Sequence, residues 1–312
     1  MVVLSAKLSS LRLRHLRLID ALARSRNLHR VAEELNITQP AASKILQELE
    51  RILDVALFER QSRGVAPTKI GETVIAYAKR AISDAERLSA ELASLKRGGY
   101  GMLTIGAILS TASGLLPAAL GELKRDRPLT TVRLITGTSD RLLEALERNE
   151  LELVIGRLAE PRHLAMFEIA PIGREEIWFF VDRRHPLASM VTVELADLQD
   201  YAFALLFEAT PMRHLVESTL GAAGLPSWGN LVETTSIFAV LSLVREAQMV
   251  SVLPSSIIRE QVERGDFVRL PIQVENSLTP YGVVTRKGVA LSTNAADFVA
   301  IVTRLVRDGL LL

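Results

Sequence analysis

Asn36-Ile37-Thr38-Gln39-Pro40-Ala41-Ala42-Ser43-Lys44 is the centre of the stretch, Leu28 to Leu53, on which the reading of this chain turns. Ahead of it, Leu28, Val31, Ala32 and Leu35 recur at i, i+3, i+4 and i+7, so the spacing predicts a short helix with one apolar face. Asn36 and Ile37 break that helix. Thr38 is a good N-cap for a second one, and Pro40 falls in its first turn, where a missing N–H is no loss. The second helix sorts its residues: Ala42, Ile45, Leu49 and Ile52 make an inward stripe, while Gln39 or Pro40, Ser43, Gln47 and Arg51 make an outward row with Lys44 beside it. Amide, hydroxyl and basic groups are the chemistries that read base edges and hold phosphates. Two short helices joined by a tight turn, with such a face on the second, describe a helix-turn-helix. An ordinary helical hairpin would also show a polar face, so the residues that follow must separate the two readings.

Those residues predict a wing. Leu57-Phe58-Glu59-Arg60 reads as a strand, Arg63-Gly64 as a turn and Val65-Ala66 as a second strand, after which Pro67-Thr68 stops the hairpin and caps a new helix. The hairpin carries Arg60 and Arg63 toward a DNA backbone or minor groove. Here the chain resembles the LysR-type transcriptional regulators. The resemblance rests on Leu13-Arg14-His15-Leu16, Ala32-Glu33-Glu34-Leu35, Thr38 to Ser43, Leu49-Glu50, Leu57 to Arg60, Arg63-Gly64, Pro67-Thr68 and Gly71-Glu72. Within the family, the Arg14-to-Ile19 opening and the Leu28-to-Lys44 run look most like regulators of sugar-binding-protein and aromatic-acid genes. One departure is Asp54, where the family turns on a glycine, and strain is expected in that turn.

Composition bounds the rest. A chain of 312 residues suits two or three domains, and 48% hydrophobic residues are ample for sizeable cores. No apolar run approaches the ~20 residues that span a bilayer, and no signal-peptide pattern is seen. The chain has no cysteine, which excludes disulfides and thiolate metal sites and suits a reducing cytoplasm. The net charge of +1 hides an asymmetry: residues 1–70 hold 12 Lys and Arg against 7 Asp and Glu, and the remainder holds 25 against 29. A basic first module on a slightly acidic body fits a polyanion partner for the first part only.

A first helix, from about Leu11 to Arg24, should brace the helix-turn-helix from behind. From Thr68 to Arg97 there is no proline, and Val74, Ala78, Ala81, Ala85, Leu88, Leu92 and Leu95 repeat at 4-3-4-3-4-3. That a/d seam predicts a long helix pairing with a second copy, although such a helix can also pack on its own domain. Gly98-Gly99-Tyr100-Gly101 reads as a hinge. Beyond it strands alternate with helices, from Leu103–Gly106 through Ser292–Arg307, which predicts an α/β fold with a mainly parallel sheet.

The resemblance implies the finer layout: a winged helix-turn-helix over 1–67, a dimerising linker helix over 68–97, a hinge at 98–101, and a two-lobed domain shaped like periplasmic binding proteins. Lobe I would take 102–172 and 271–312, and lobe II 173–270, with a small effector in the cleft between them. Implied partners are double-stranded DNA, a small-molecule effector, a second copy in a homodimer or homotetramer, and RNA polymerase. No membrane partner is expected. The expected DNA-binding residues are Asn27, Arg30, Thr38, Gln39, Pro40, Ser43, Lys44, Gln47, Arg60 and Arg63.

In the α/β part, Ser110 and Thr111 follow the first strand and precede a helix, and Thr138 and Ser139 do so after the second. Strand C-termini and helix N-termini converge on ligands in such sheets, though Ser and Thr are also plain N-caps. Ser110 and Thr138 match positions that touch effectors in related regulators. Thr210, Thr235 and Ser236 would face them from the second lobe. Arg157, after the third strand, would hold an acid or a salt bridge. Hydroxyls around helix N-termini favour a small organic acid, whereas a neutral sugar would want aromatic faces, and aromatic residues are 5% of the chain. No nucleophile elbow, zinc-protease, P-loop or dinucleotide motif occurs, and the five histidines are scattered, so neither catalytic residues nor a metal or other cofactor is expected. A transporter's solute-binding protein would share the lobes but lack residues 1–97.

Overall fold

The computed structural model describes residues 10–309 except 62–63, 97–98, 112, 159, 207–210, 223, 225–229 and 273–277, with the backbone alone for 60, 94, 95, 211 and 222. Two compact units divide the chain: Met1–Thr104 with Leu129–Val132 and Glu144–Glu152, and the rest.

The N-terminal module runs α1 (Leu13–Ser25), α2 (Leu28–Glu34), α3 (Gln39–Leu53), a hairpin of β1 (Phe58–Gln61) and β2 (Gly64–Pro67), and α4 (Lys69–Lys96). Leu16, Ile19 and Leu22 of α1 pack against Val31, Ala32, Ala42, Leu49, Leu57 and Ala78, so the apolar stripes read from sequence close on one core. The α2–α3 turn is made by Asn36 at φ +53°, a left-handed conformation that asparagine tolerates. Asp54 also sits there, at φ +59° and ψ +38° as the C-cap of α3. The expected strain is therefore confined to one residue of a type enriched in that region. Thr68 starts α4: its hydroxyl accepts from Gly71 N at 2.9 Å and donates to Ala56 O at 2.9 Å. The seam of α4 divides. Val74, Ala78, Ala81 and Ile82 pack on the module's own core, while Leu88 and Leu92 stand 56% and 49% exposed.

The α/β part holds two five-stranded sheets. In the first are β3 (Met102–Ala107), β4 (Thr131–Thr136), β5 (Leu153–Gly156), β6 (Phe167–Gly173) and, from the end of the chain, Tyr281–Arg286. Helices α5 (Leu115–Asp126), α6 (Ser139–Glu147) and α7 (Pro161–Met166) lie between these strands in sequence. The second sheet takes β7 (Ile177–Asp182), β8 (Phe203–Leu206), β9 (Leu231–Thr234), β10 (Val250–Pro254) and β11 (Phe267–Arg269), with α8 (Pro211–Ala222), α9 (Ile237–Glu246) and α10 (Ser255–Glu263) between them. The Tyr281–Arg286 strand is β12, and α11 (Thr293–Arg307) closes the described chain. Sheet orders are β4-β3-β5-β12-β6 and β11-β7-β10-β8-β9. Both are mixed rather than mainly parallel. The β3–β5, β8–β9 and β8–β10 pairs run parallel, but β12 runs antiparallel to β5 and β6, and β7 to β10 and β11. A chain that leaves one sheet and later returns inserts its crossing strands in reverse.

Strand β6 had no sequence signature because it contains Pro171. It is an edge strand, where proline costs no ladder bond. Gly282 lies so close to it that a Cβ would stand 2.2 Å from Ala170 O. Crossings between the sheets occur at 174–176 and between Arg269 and Tyr281. No helix among the described residues is long and apolar enough to cross a membrane.

Candidate DNA-binding face and effector cavity

Helix α3 presents the outward row. Thr38 Oγ1 accepts from Ala41 N at 3.4 Å, fixing the first turn. Gln39, Pro40, Lys44 and Gln47 are exposed and Ser43 is half-buried, while Ala42 and Leu49 are fully buried. Asn27 caps α2, accepting from His29 N at 2.9 Å and Arg30 N at 3.3 Å, and both Asn27 and Arg30 are exposed. The wing is seated by two devices. Glu50 accepts from Leu57 N at 2.7 Å, and Val65 N donates to Arg26 O at 3.1 Å. Gly64, at φ +95°, permits that approach, since a Cβ there would lie 2.3 Å from Arg26 O. Arg60 lies on β1 with its side chain outside the description, and Arg63 is outside the described residues.

Behind α3, His15 is fully buried. Its Nδ1 accepts from Arg12 N at 3.1 Å, and its Nε2 stands 3.6 Å from Glu48. Burial holds this imidazole below its ordinary 6.5, against the opposing pull of Glu48. A depressed histidine pKa means that folding favours the neutral ring. Its contribution to stability is therefore present above pH 6.5 and declines as pH falls below it. His15→Gln keeps the acceptor for Arg12 N and removes the titration. The melting temperature of the N-terminal module should fall less between pH 7.5 and 5.5 in this variant than in the wild type; parallel losses in calorimetry would refute the assignment.

In the α/β part, a cavity of about 270 Å³ opens between the two sheets. Ser110, Ser113 and Gly114 line it from the β3–α5 connection and Leu115 from the start of α5; Arg174, Glu175 and Glu176 line it from the first crossing and Tyr281 from the start of β12; Ser255, Ser256 and Arg259 line it from α10. The lobes meet across it, with Ser256 Oγ donating to Ser110 O at 2.7 Å and Ser113 Oγ to Ser256 O at 2.5 Å. The hydroxyl of Ser110, a residue 5% exposed, has no hydrogen-bond partner among the described residues. Gly114 and Pro254 cap α5 and α10 without any side-chain bond, so two helix N-termini face the cavity, although Ser255 N of α10 donates to Glu176 O at 2.8 Å and Pro117 of α5 carries no N–H. Arg259 lies over the Trp178 ring at 5.4 Å, with Arg269 at 4.5 Å from the same ring. Trp178 Nε1 donates to Glu176 at 3.1 Å.

Of the described residues expected to contact an effector, the cavity gathers Ser110 alone. Thr111 Oγ1 is spent on Ile108 O at 2.8 Å, and Ser139 Oγ accepts from Arg157 N at 3.1 Å. Thr138 is half-buried at the start of α6 and Thr235 is exposed ahead of α9, neither of them on the lining. Ser236 caps α9 through Ala239 N, and Thr210 lies outside the described residues. Arg157 takes the salt-bridge alternative: it pairs with Glu175 and donates through Nε to Thr279 O at 3.0 Å, so one guanidinium ties both crossings to the first sheet. Burial pushes Arg157 down to about 10, which leaves it charged at neutral pH. Ser255 and Ser256 had the same signal as Ser110, hydroxyls directly after a strand and opening a helix. Arg174, Glu175, Glu176 and Arg259 had none, because only the crossings bring them to the cavity.

Residues 13–72 match the family described as bacterial regulatory helix-turn-helix protein, lysR family, and residues 96–307 match the LysR substrate binding domain. The chain is 33% identical to the HTH-type transcriptional regulator GbpR of Azospirillum brasilense over 93% of its own length and 85% of that protein's. It is 28% identical to the HTH-type transcriptional regulator PcaQ of Agrobacterium fabrum over 88% and 89%. Full-length CbnR, solved with its target DNA, superposes with a TM-score of 0.62 at 24% identity, covering 94% of this chain and 99% of that one. A helix-turn-helix in front of the two lobes also sets the chain apart from a solute-binding protein. The chain belongs to the LysR family of transcriptional regulators, with an N-terminal DNA-binding domain followed by an effector-binding domain.

Proposed function

We propose that this regulator acts in the cytoplasm as a dimer or tetramer, reads its operator with α3, and answers to a small organic anion held in the 270 Å³ cavity. RNA polymerase is the partner through which its bound state acts. The observation that carries the effector reading is the convergence of two uncapped helix N-termini, the Arg259 guanidinium and the unpartnered Ser110 hydroxyl on one cavity. Each helix end offers about half a positive charge, which suits a carboxylate.

Arg259→Gln should weaken any carboxylate effector by ~1.5–3 kcal/mol, the range for a hydrogen bond to a charged group. A thermal-shift screen of carboxylates against uncharged analogues checks this on both proteins. Uncharged analogues that stabilise the wild type while every acid fails would sink the anion reading.

On DNA, Gln39 and Ser43 are assigned to base edges, and Lys44, Arg60 and Arg63 to phosphates or the minor groove, with Gln47, Pro40, Thr38, Asn27 and Arg30 along the same face. Gln39→Ala should cost ~1–3 kcal/mol at the operator and blur sequence preference. Lys44→Ala should weaken all sequences alike and lower the salt slope by roughly one. Equal losses by both variants on operator and random DNA would show this division of labour to be wrong.

A further inference from the structure

The cavity holds two chemistries that a simple acid cannot satisfy together. At one set of positions are the helix N-termini and Arg259, which want an anion. At another is Glu176, an exposed carboxylate that already accepts from Trp178 Nε1 and keeps further lone pairs for donors. The lining itself balances Arg174 and Arg259 against Glu175 and Glu176, and Arg157 behind Glu175 and Arg269 over Trp178 leave its surroundings net positive. An anionic group on the ligand is therefore matched. Serine hydroxyls fill much of the remaining wall, and among the described lining residues Leu115 and Tyr281 bring the carbon-rich side chains. An aromatic acid would set much of its ring against polar groups, whereas small-molecule sites that take such rings are lined mainly by apolar side chains. The volume of about 270 Å³ is that of roughly nine waters at ~30 Å³ each, room for one small molecule.

We propose that the effector is a hydroxylated, non-aromatic carboxylate of the sugar-acid type. Its carboxylate faces Arg259 and the N-termini of α5 and α10, and its hydroxyls donate to Glu176 and exchange hydrogen bonds with Ser110. The proposal rests on the anion reading of the cavity and narrows it. Entry of such a ligand strips water from Glu176 and replaces it with hydroxyl donors. An acid without hydroxyls displaces water from that carboxylate and leaves it only the Trp178 bond, and a neutral sugar displaces water from Arg259 without giving it an anion. Both mismatches penalise binding more than the missing contact itself would.

The test is calorimetric titration of the full-length protein with gluconate and galactonate, with glucose and galactose as the neutral counterparts, and with hexanoate and benzoate as acids lacking hydroxyls. At least one sugar acid should bind tenfold or more tighter than its sugar and than either unhydroxylated acid. Glu176→Gln keeps an acceptor oxygen for Trp178 and should weaken the sugar acid about tenfold while leaving hexanoate unchanged or tighter; an unshifted melting temperature for this variant shows that its fold is retained. Hexanoate or benzoate binding as tightly as the sugar acids, or Glu176→Gln weakening every acid alike, would overturn the hydroxylated class and leave the anion reading standing. Failure of both sugar acids to bind overturns the proposal as well. Binding of the neutral sugars with no acid bound overturns it together with the anion reading.

Discussion

Arg157→Gln is expected to destabilise the effector-binding unit by about 3–5 kcal/mol, the cost of leaving a buried charge without its partner. The pair it breaks has side chains only 7% and 6% exposed, and the Nε bond to Thr279 O goes with it. Most of the loss comes from Glu175, stranded in the cavity wall, rather than from the attraction itself. The double variant Arg157→Leu with Glu175→Leu should therefore be much less destabilised than Arg157→Gln, because it removes both charges and keeps volume. What the double variant cannot restore is the tie to the Thr279 crossing. Urea denaturation followed in the α/β unit's own transition checks both outcomes. A loss under about 1 kcal/mol for the single variant would mean that water reaches Glu175 and that the pair does not hold the crossings.

Light scattering should find the wild type at least dimeric at micromolar concentration and the Leu88→Asp, Leu92→Asp variant monomeric. The division of the α4 seam makes this a clean experiment. Ala78 and its neighbours are occupied by the module's own core, but Leu88 and Leu92 stand 56% and 49% exposed in the single chain. Aspartate at those positions costs little within one chain, so helicity and melting of the monomer should hold. In a paired helix, burying what remains of four leucines contributes about 3–6 kcal/mol, at half the usual value per side chain. That contribution is replaced by four carboxylates facing an apolar seam. A monomeric wild type, or a variant that associates as strongly as the wild type, would remove the seam from the assembly.

Most of the N-terminal module was legible in the sequence because its determinants act over a few residues. Thr38 caps the helix it precedes, Asn36 turns left-handed where it stands, and the apolar spacing of α1, α2 and α3 needs only their own periodicity to find the common core. The same holds for α4, whose 28 residues were bounded by Thr68 on one side and glycines on the other. What that spacing left open was which part of the seam the chain uses for itself, since an apolar stripe looks alike whether it meets its own α1 or a second copy. Tertiary packing divided it after Ile82.

The α/β part was legible as alternating elements, and its strands fell close to where the residues put them, apart from edge strand β6 with its proline. Its sheet directions and its cavity were not. Ser110 was found because a hydroxyl after a strand and before a helix is a local pattern. Arg174, Glu175, Glu176 and Arg259 were not, because each is an ordinary charged residue in its own neighbourhood and becomes part of a site only where two crossings and the start of α10 meet. Arg157 shows the limit from the other side. Its position after β5 pointed equally to a ligand and to an ion pair, and the choice fell to Glu175, a residue that β6 and the crossing must first bring beside it. Caps, turns and stripes are written within a turn or two of helix and so can be read from sequence; a cavity between lobes is made of contacts between distant residues, and the path of the backbone selects them.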